Sequence, residues 1–443
     1  MRTRYLIGIL FVAVAALPFV FMYGTGRDGH GRDDGKAEQL VIISPHRREV
    51  RLEYSRGFQA WMMSRRNRNV RITWIDVGGT TKILKELESR FAGSPDAPGA
   101  DLMFGGGVSP YKIGADRGWL TNVVLSAASL EGIPELCAGS PVYDHDGHWY
   151  GVALSGFGIL YNRPLIERLG LPVPETWEDL GRPEFCSWIS SGDPRSSGSV
   201  HMCYEIILQA YGFEKGWGLI TRMCANVRQF GESAGVVPRE VAAGDVAAGM
   251  VIDQYALTMI DSIGRDALKF VLPRDATVID PDAIGMLRGA PSPDLGTLFI
   301  EYAMSEDGQR ILCQPAGANG QKYSLHRMPV RRSIYDSPGG PVTCPYDFET
   351  SFRFDGAKEA QRREIVNDLI GVVLIDGHAR LLEAWRRATS PGADADLVAR
   401  LCAPPVTESE LAVLAGEWND PRRRTEVIRK WAEEATERYR SVL

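Results

Sequence analysis

The chain has 443 residues, a formal net charge of -6 and 44% hydrophobic residues, among them 10 tryptophans. This length predicts two or three domains, and the composition is typical of a folded globular protein rather than a disordered one. The acidic balance gives no reason to expect a nucleic acid as partner. The seven cysteines form no C-x-x-C pair, so no zinc or thiol-redox motif is present, and their odd number leaves at least one unpaired.

Residues 1–24 carry the pattern of a membrane anchor or a signal peptide. Arg2 and Arg4 precede an uncharged apolar run over residues 5–23, about 19 residues and long enough to cross a bilayer as a helix. The run exceeds the apolar part of most signal peptides, which is roughly 7–15 residues long. We therefore favour an uncleaved helix in the cytoplasmic membrane over a cleaved signal, with the following chain extracytoplasmic, in the periplasm. The Gly-rich residues 25–38 are a natural linker.

A repeated order of strand, loop and helix follows the linker. Residues 40–43, 70–77 and 100–104 are apolar or alternating and predict three strands, with helical patterns after the first two. Such alternation favours a parallel sheet with helices on both faces, whose strands end at a common edge. Three strand-end loops should therefore converge on a ligand cleft, although each glycine in them could simply serve a tight turn. The loops cover residues 44–46, 78–81 and 105–107.

A second lobe is predicted beyond residues 149–162, which are apolar without a helical period and suit an extended crossover. Strands are expected at 187–189, 229–230 and 248–252. The loops that follow these strands cover residues 193–199, 232–233 and 253–255. The two lobes would face each other across a cleft. We place lobe 1 at residues 39–155 and 276–335, and lobe 2 at residues 156–275.

The most suggestive stretch is the Ser/Gly loop at residues 190–199, which opens a helical pattern ending at Gly212. A helix that starts there presents unpaired N–H groups, hydroxyl groups and the positive end of its dipole to one point, a geometry that binds anions. Gly198 leaves the backbone accessible, and Arg195 can add a charged fork. The alternative is an ordinary serine cap on a surface helix. The string matches neither a nucleotide P-loop nor a hydrolase elbow.

Several segments, in this order and spacing, resemble one protein family. They are residues 43–46, 101–106, 151–155, 159–162, 176–180, 192–198, 243–247, 253–255, 281–286 and 290–291. The span in which they occur, from residue 40 to about 335, is about two thirds of the chain. This succession resembles the extracytoplasmic solute-binding proteins of ABC importers with the type-2 periplasmic-binding fold, in the group around ferric-iron, thiamine and aminoethylphosphonate binders.

The resemblance implies binding without chemistry: two lobes close on a small anionic ligand, or on an iron(III)–anion complex, and pass it to ABC permease subunits. In ferric-binding relatives a His, a Glu and two adjacent Tyr hold the metal, with a synergistic anion. His46 matches that His and Tyr255 the second Tyr, but Gln254 stands in place of the first, which puts direct iron binding in doubt. From the loops and the resemblance together, the expected ligand-binding residues are Ser44, His46, Gly79, Thr80, Gly106, Ser155, Arg195, Ser196, Ser197, Gly198, Ser199, Asp253 and Tyr255.

Residues 336–443 are mostly helical in pattern and form a C-terminal extension, either packed on one lobe or docking a partner. Two other functional classes remain open. The first is a hydrolase that uses Ser196, Ser197 or Ser199 as nucleophile with His46 or His201 as base, although no Ser/His/Asp spacing supports it. The second is a sensor that reports ligand occupancy without transport.

Overall fold

A computed structural model of the chain describes residues 37–273, 276–337, 344–348 and 352–443. The anchor expected at residues 1–24, and nearly all of the linker, lie outside the described residues. Within the described ranges, no helix combines the length and the apolarity needed to cross a membrane.

Thirteen strands are described. They are β1 (Glu38–Ile43), β2 (Val70–Ile75), β3 (Leu102–Phe104), β4 (Leu120–Thr121), β5 (Leu136–Cys137), β6 (Ser140–Pro141), β7 (Tyr150–Asn162), β8 (Ile189–Gly192), β9 (Val227–Gly231), β10 (Ala248–Ile252), β11 (Leu268–Val271), β12 (Ile279–Leu287) and β13 (Met328–Pro329).

The described α-helices fall into two groups along the chain. Those before residue 320 are α1 (Arg48–Arg66), α2 (Thr80–Gly93), α3 (Ser109–Asp116), α4 (Ala127–Leu130), α5 (Arg163–Leu169), α6 (Trp177–Leu180), α7 (Gly198–Ala210), α8 (Phe213–Asn226), α9 (Val236–Ala243), α10 (Asp253–Ile263), α11 (Pro293–Met304) and α12 (Glu306–Cys313). Those after it are α13 (Gly356–Ile370), α14 (His378–Ala388), α15 (Ala395–Cys402), α16 (Glu408–Glu417) and α17 (Pro421–Val442), and a π-helical turn (Gly371–Ile375) follows α13.

Local sequence explains these elements. In α1 the buried Val50, Tyr54, Phe58 and Met62 recur every four residues, so one face of the helix meets the core. The helix ends at Asn67, whose φ of 50° is the left-handed conformation that often terminates helices. In β7 every residue from 150 to 160 is buried, because the strand runs through the sheet with both faces covered.

The main sheet has the order β2-β1-β3-β12-β7-β10-β8-β9 and is mixed rather than parallel. β1 pairs with β3 in parallel, and β8 pairs with both β10 and β9 in parallel. The long β7 and the returning β12 run antiparallel to their neighbours. The expectation of a parallel sheet is therefore corrected at these two strands, because the chain crosses between the lobes as extended strand and not as a helix.

We call lobe 1 the part built on β1, β2, β3 and β12, and lobe 2 the part built on β8, β9 and β10. β7 belongs to both: its residues 150–156 pair with β12, and residues 157–161 pair with β10. Such a shared strand is suited to be a hinge. The loops at the strand ends of each lobe face the same cleft.

The helices of the C-terminal extension, α13 to α17, pack mainly on lobe 2. Its buried Trp385 and Trp431 share one apolar core with Trp177 and Trp217 of lobe 2. The indole N–H of Trp385 donates to Oδ1 of Asn226 over 2.8 Å, which fixes α14 against the end of α8. The helix α13 also contacts α3 of lobe 1, so the extension meets both lobes, and docking of a partner stays a prediction.

Candidate functional site

A cavity of about 390 Å³ lies between the two lobes. Lobe 1 supplies the loop after β1, the glycine loops before α2 and after β3, and the inner face of β12. Lobe 2 supplies the loop before α7, the loop after β9 and the start of α10. Ten of the expected ligand-binding residues line this cavity: His46, Gly79, Thr80, Gly106, Ser155, Ser196, Ser197, Gly198, Ser199 and Tyr255.

Two of the other expected residues, Ser44 and Asp253, lie just behind the cavity wall. Ser44 is fully buried and its Oγ accepts from the backbone N–H of His46 over 3.1 Å, which shapes the loop. The carboxylate of Asp253 accepts from the N–H groups of Gly156 (3.0 Å) and Gln254 (2.6 Å), so it ties the hinge strand to α10. Burial raises the pKa of Asp253 to about 7.

Arg195, the third expected residue outside the lining, is engaged in ion pairs. Its Nη2 lies 2.7 Å from a carboxylate oxygen of Asp193 and 2.7 Å from one of Asp376, in the segment between α13 and α14. The bond to Asp376 is the main reason why the pKa of the guanidinium is raised. Arg195 was expected to contact the ligand, but here it pairs with Asp376 instead. Nothing in the sequence indicated this pairing, because Asp376 comes 181 residues later.

His46 lies in a buried charged cluster with Asp282 of β12 and Arg327. Its Nε2 is 2.7 Å from Oδ2 of Asp282 and 2.8 Å from Nη1 of Arg327, and the guanidinium also pairs with Asp282. Burial is the largest effect on His46 and lowers the pKa of the imidazole. Burial alone would raise the pKa of Asp282, but the adjacent Arg327 and His46 hold it well below its usual range.

Arg47 joins the two lobes across the cleft. Its guanidinium carbon lies 5.1 Å from the ring centre of Tyr255, a cation–π contact, and its Nη2 donates to Oγ1 of Thr258 over 3.1 Å. Burial lowers the pKa of Arg47 and is the main cause of the shift. Neither Arg47 nor Arg327 was expected in the cleft from the sequence. The sequence held one clue to Arg47, which is that it directly follows His46.

The loop before α7 leaves the start of that helix without a side-chain cap. Ser197 adopts an extended backbone and its side chain makes no capping hydrogen bond to α7, which leaves N–H groups of the first turn available. The lobes nearly touch here, because a Cβ on Gly79 would lie 2.4 Å from the carbonyl oxygen of Ser196. Glycine at 79 thus lets lobe 1 approach the start of α7.

Charged side chains of both signs line the cavity. The lining cations are Arg47, Lys82 and Arg327, and the lining carboxylates are Asp76, Glu232, Asp280 and Asp282. Asp282 is paired with Arg327, Asp76 pairs with Arg51 over 3.0 Å, and burial raises the pKa of Asp280 to about 7. Lys82 is exposed, and among the described residues no ion pair to it is found. Arg47 and Lys82 therefore have no carboxylate partner among the described residues, and the exposed Glu232 is a lining carboxylate for which no described cation partner is found.

The same geometry fits direct iron binding poorly. Nε2 of His46 and the carboxylate of Asp282 are two groups in the cleft that could coordinate iron together. Both contact the guanidinium of Arg327, whose positive charge would repel a metal ion. Gln254 replaces a phenolate that ferric iron would favour. Within the described ranges, a three-residue group with converging metal-ligand atoms occurs elsewhere, at Asp144, Asp146 and His148 in the turn before β7.

The serine hydroxyl groups are not arranged for nucleophilic catalysis. Ser196 Oγ donates to the carbonyl oxygen of Glu232 over 2.5 Å, and Ser197 Oγ lies 3.3 Å from Ser199 Oγ. The ring of His201 points away from the cleft, with its nitrogens 2.6 Å from Asn367 and 2.9 Å from Glu359. In the described structure neither candidate base contacts a candidate nucleophile, so the hydrolase alternative has no geometric support.

Two lobes joined by a shared strand, with loops and a helix start converging on a polar cleft, form an arrangement that suits the binding of a small solute between the lobes. Residues 115–323 match the family model described as bacterial extracellular solute-binding protein. The resemblance to this class indicated by the sequence motifs is confirmed. The members of the matched family are binding proteins and not enzymes.

Among curated proteins, the chain is 28% identical over 235 residues to the phosphoglycerate transport regulatory protein PgtC of Salmonella typhimurium. The match covers 53% of this chain and 56% of that protein, so the chain spans only about half the length of this relative. The remaining half of PgtC has no counterpart in the alignment.

Two solved structures show how far the fold is shared. The periplasmic binding protein AfuA of Actinobacillus pleuropneumoniae, with exogenous fructose-6-phosphate bound, aligns with a TM-score of 0.60 at 19% identity, over 79% of this chain and 98% of AfuA. The apo ferric ion-binding protein A of Pasteurella haemolytica aligns with a TM-score of 0.59 at 15% identity, over 75% and 97% of the chains. The chain therefore has the α/β fold of periplasmic binding proteins.

Proposed function

We propose that this protein is the extracytoplasmic solute-binding component of an ABC import system and that its ligand is a small phosphorylated organic anion. The observation that carries the proposal is the charge arrangement of the cleft. Arg47 and Lys82 line it without a carboxylate partner in the described structure, opposite the uncapped start of α7. A phosphate group suits this arrangement because it accepts several hydrogen bonds from N–H groups and pairs with cations.

Two of the similar proteins support this ligand class. PgtC is named for phosphoglycerate transport, and AfuA was solved with fructose-6-phosphate bound. Ferric-ion-binding neighbours share the fold, so an iron(III) ion with a synergistic anion is the competing ligand. The guanidinium of Arg327 beside His46 disfavours it. Delivery to ABC permease subunits and a periplasmic location, with the N-terminal helix as membrane anchor, complete the proposal.

A role in sensing is the second candidate, since PgtC is named a regulatory protein. It uses the same cleft and the same ligand chemistry. Import and sensing are separated by growth on the ligand as sole carbon or phosphorus source: a transport component is required for uptake, and a sensor only for induction of the uptake genes.

The ligand class is tested by isothermal titration calorimetry. Inorganic phosphate, 3-phosphoglycerate and fructose 6-phosphate are compared with glycerate and fructose. We expect saturable binding of at least one phosphorylated probe, at least about tenfold tighter than its unphosphorylated partner, because each charge-assisted hydrogen bond contributes about 1.5–3 kcal/mol. Equal affinity for both members of each pair, or binding of ferric citrate alone, would overturn the proposal.

A pair of lysines on one helix provides a matched control. Lys82 and Lys85 are both exposed on α2, but Lys82 lines the cleft whereas Lys85 lines a separate groove between lobe 1 and the extension. Lys82→Met should weaken binding of the phosphorylated probe by about tenfold, the loss of one charged contact. Lys85→Met, which removes the same charge from the same helix, should leave the affinity unchanged.

A further inference from the structure

The C-terminal extension reaches the back of the predicted anion site. Three residues of α13, at intervals of four, form one face toward α7: Glu359, Arg363 and Asn367. Glu359 and Asn367 hold the ring of His201, in the first turn of α7, between them. All four side chains are buried, with Arg363 only 3% exposed.

Arg363 lies where the two lobes and the extension meet. A Cβ on Gly198 would be 3.0 Å from Nη2 of Arg363 and 3.1 Å from Cβ of Thr80 in lobe 1. Gly198 and Thr80 both line the cleft. The absence of a side chain at 198 is thus what allows the guanidinium to lie directly behind the start of α7.

This buried guanidinium has a single carboxylate partner and an incomplete set of hydrogen bonds. Its Nη1 donates to Oε1 of Glu359 over 2.5 Å, but the same oxygen also accepts from Nε2 of His201. Nε of Arg363 is buried without a hydrogen-bond partner. Burial alone would raise the pKa of Glu359, but Arg363 and His201 lower it to about 2, so the carboxylate stays ionised. A buried cation with an unfilled hydrogen-bonding position is costly, and a negative ligand nearby offsets part of that cost.

We infer that Arg363 is a positioning residue of the anion site: it holds a positive charge behind the first turn of α7 and so strengthens the attraction of that helix start for a phosphate group. The inference rests on the proposed function and extends it, since it makes the C-terminal extension part of the binding site. Arg363 acts through Gly198 and the α7 backbone rather than by lining the cleft. The field of the guanidinium adds to that of the helix dipole where both point at the cleft.

The neighbouring Arg362 provides the control for this inference. It lies on the same helix, is 5% exposed, and pairs with Glu205 over 2.7 Å and Glu408 over 2.8 Å, away from Gly198. The test measures inorganic phosphate and 3-phosphoglycerate affinity by calorimetry for Arg363→Met, Arg363→Lys and Arg362→Met. Far-ultraviolet circular dichroism and thermal unfolding identify a temperature at which every variant is folded.

We expect Arg363→Met to weaken phosphate binding by about tenfold and to flatten its dependence on salt, because one cation is lost near the anion. Arg363→Lys should stay within about threefold of the parent, and Arg362→Met should bind as the parent does, since its charge lies elsewhere. Equal losses in Arg363→Met and Arg362→Met would show a merely structural effect and would overturn the inference. A parent protein that binds none of the three phosphorylated probes, fructose 6-phosphate included, would instead refute the proposed function.

If Arg363→Met does not fold, the inference is tested with a second variant, Glu359→Gln, which is expected to change phosphate affinity in the opposite direction. Glu359→Gln removes the counterion of Arg363 while keeping the shape of the side chain. It should tighten phosphate binding by about threefold if the cluster acts through its charge. Unchanged or weaker binding in folded Glu359→Gln contradicts the inference.

Discussion

The guanidinium of Arg327 lies 2.8 Å from Nε2 of His46, and both groups face the carboxylate of Asp282. The imidazole that sequence motifs associate with iron is therefore part of a buried ion-pair cluster. All three side chains are less than a tenth exposed. Their mutual contacts hold together the loop after β1, the strand β12 and the segment before β13, which form the floor of the cleft.

Removal of one partner from this cluster should be strongly destabilising. Arg327→Met leaves Asp282 charged and buried, and we expect a loss of about 3–5 kcal/mol in the free energy of unfolding, measured by urea denaturation. Asp282→Asn added to Arg327→Met should recover part of the loss, because the unpaired charge is then gone. The exposed pair of Arg65 with Asp307 is the control, and Arg65→Met should cost less than about 1 kcal/mol. Similar losses in the two single variants would contradict this account.

Tyr255 should not act as an iron ligand. Its ring lies under the guanidinium of Arg47, and burial raises the pKa of its phenol, which disfavours the phenolate that iron requires. We expect no visible charge-transfer band when ferric citrate is added to the parent. Tyr255→Phe should bind the phosphorylated probe within about threefold of the parent, whereas Arg47→Met, which removes a charged contact, should bind about tenfold more weakly. A visible band that disappears in Tyr255→Phe would restore the iron hypothesis.

Gly79 should be needed for closure of the cleft. Its φ of -69° is accessible to any residue, so the cost of Gly79→Ala comes from the new Cβ, which would meet the carbonyl oxygen of Ser196 at 2.4 Å. We expect the variant to fold but to bind the phosphorylated probe at least about tenfold more weakly, because the new Cβ holds the start of α7 away from lobe 1. In small-angle X-ray scattering with the probe present, its radius of gyration should be larger than that of the parent. Gly93→Ala, where a Cβ meets nothing within 4 Å, should behave as the parent. Unchanged affinity in Gly79→Ala would show that this close approach is not required for binding.

Asp280 should make anion binding depend on pH. Burial is the largest cause that raises its pKa to about 7, with Glu359 and Asp282 adding to the shift and Lys112 opposing it. As the pH rises through 7, the side chain acquires a negative charge at the cleft wall, so affinity for an anion should fall. Sulfate is the suitable probe because its own charge is constant between pH 6 and 8. Asp280→Asn should flatten the profile, and a profile as steep as that of the parent would assign the effect to another group.

Four features could be predicted from the amino-acid pattern alone: the repeated strand-and-helix order, the three strand-end loops of lobe 1, the extended crossover at β7 and the Ser/Gly start of α7. These features are local: hydrophobic period, β-branched residues and turn glycines act within a few residues of chain. The convergence of the strand-end loops on one cleft could also be predicted from the sequence, because the ends of parallel strands in one sheet meet at a common edge.

Which charged side chains face the cleft depends on contacts between distant parts of the chain. Arg327 comes 281 residues after His46, and Asp376 comes 181 residues after Arg195, the residue it draws away from the cleft. The position of Arg363 behind Gly198 likewise depends on how the extension packs on lobe 2. Such pairings arise from side-chain directions and packing between distant segments, for which sequence spacing carries no signal.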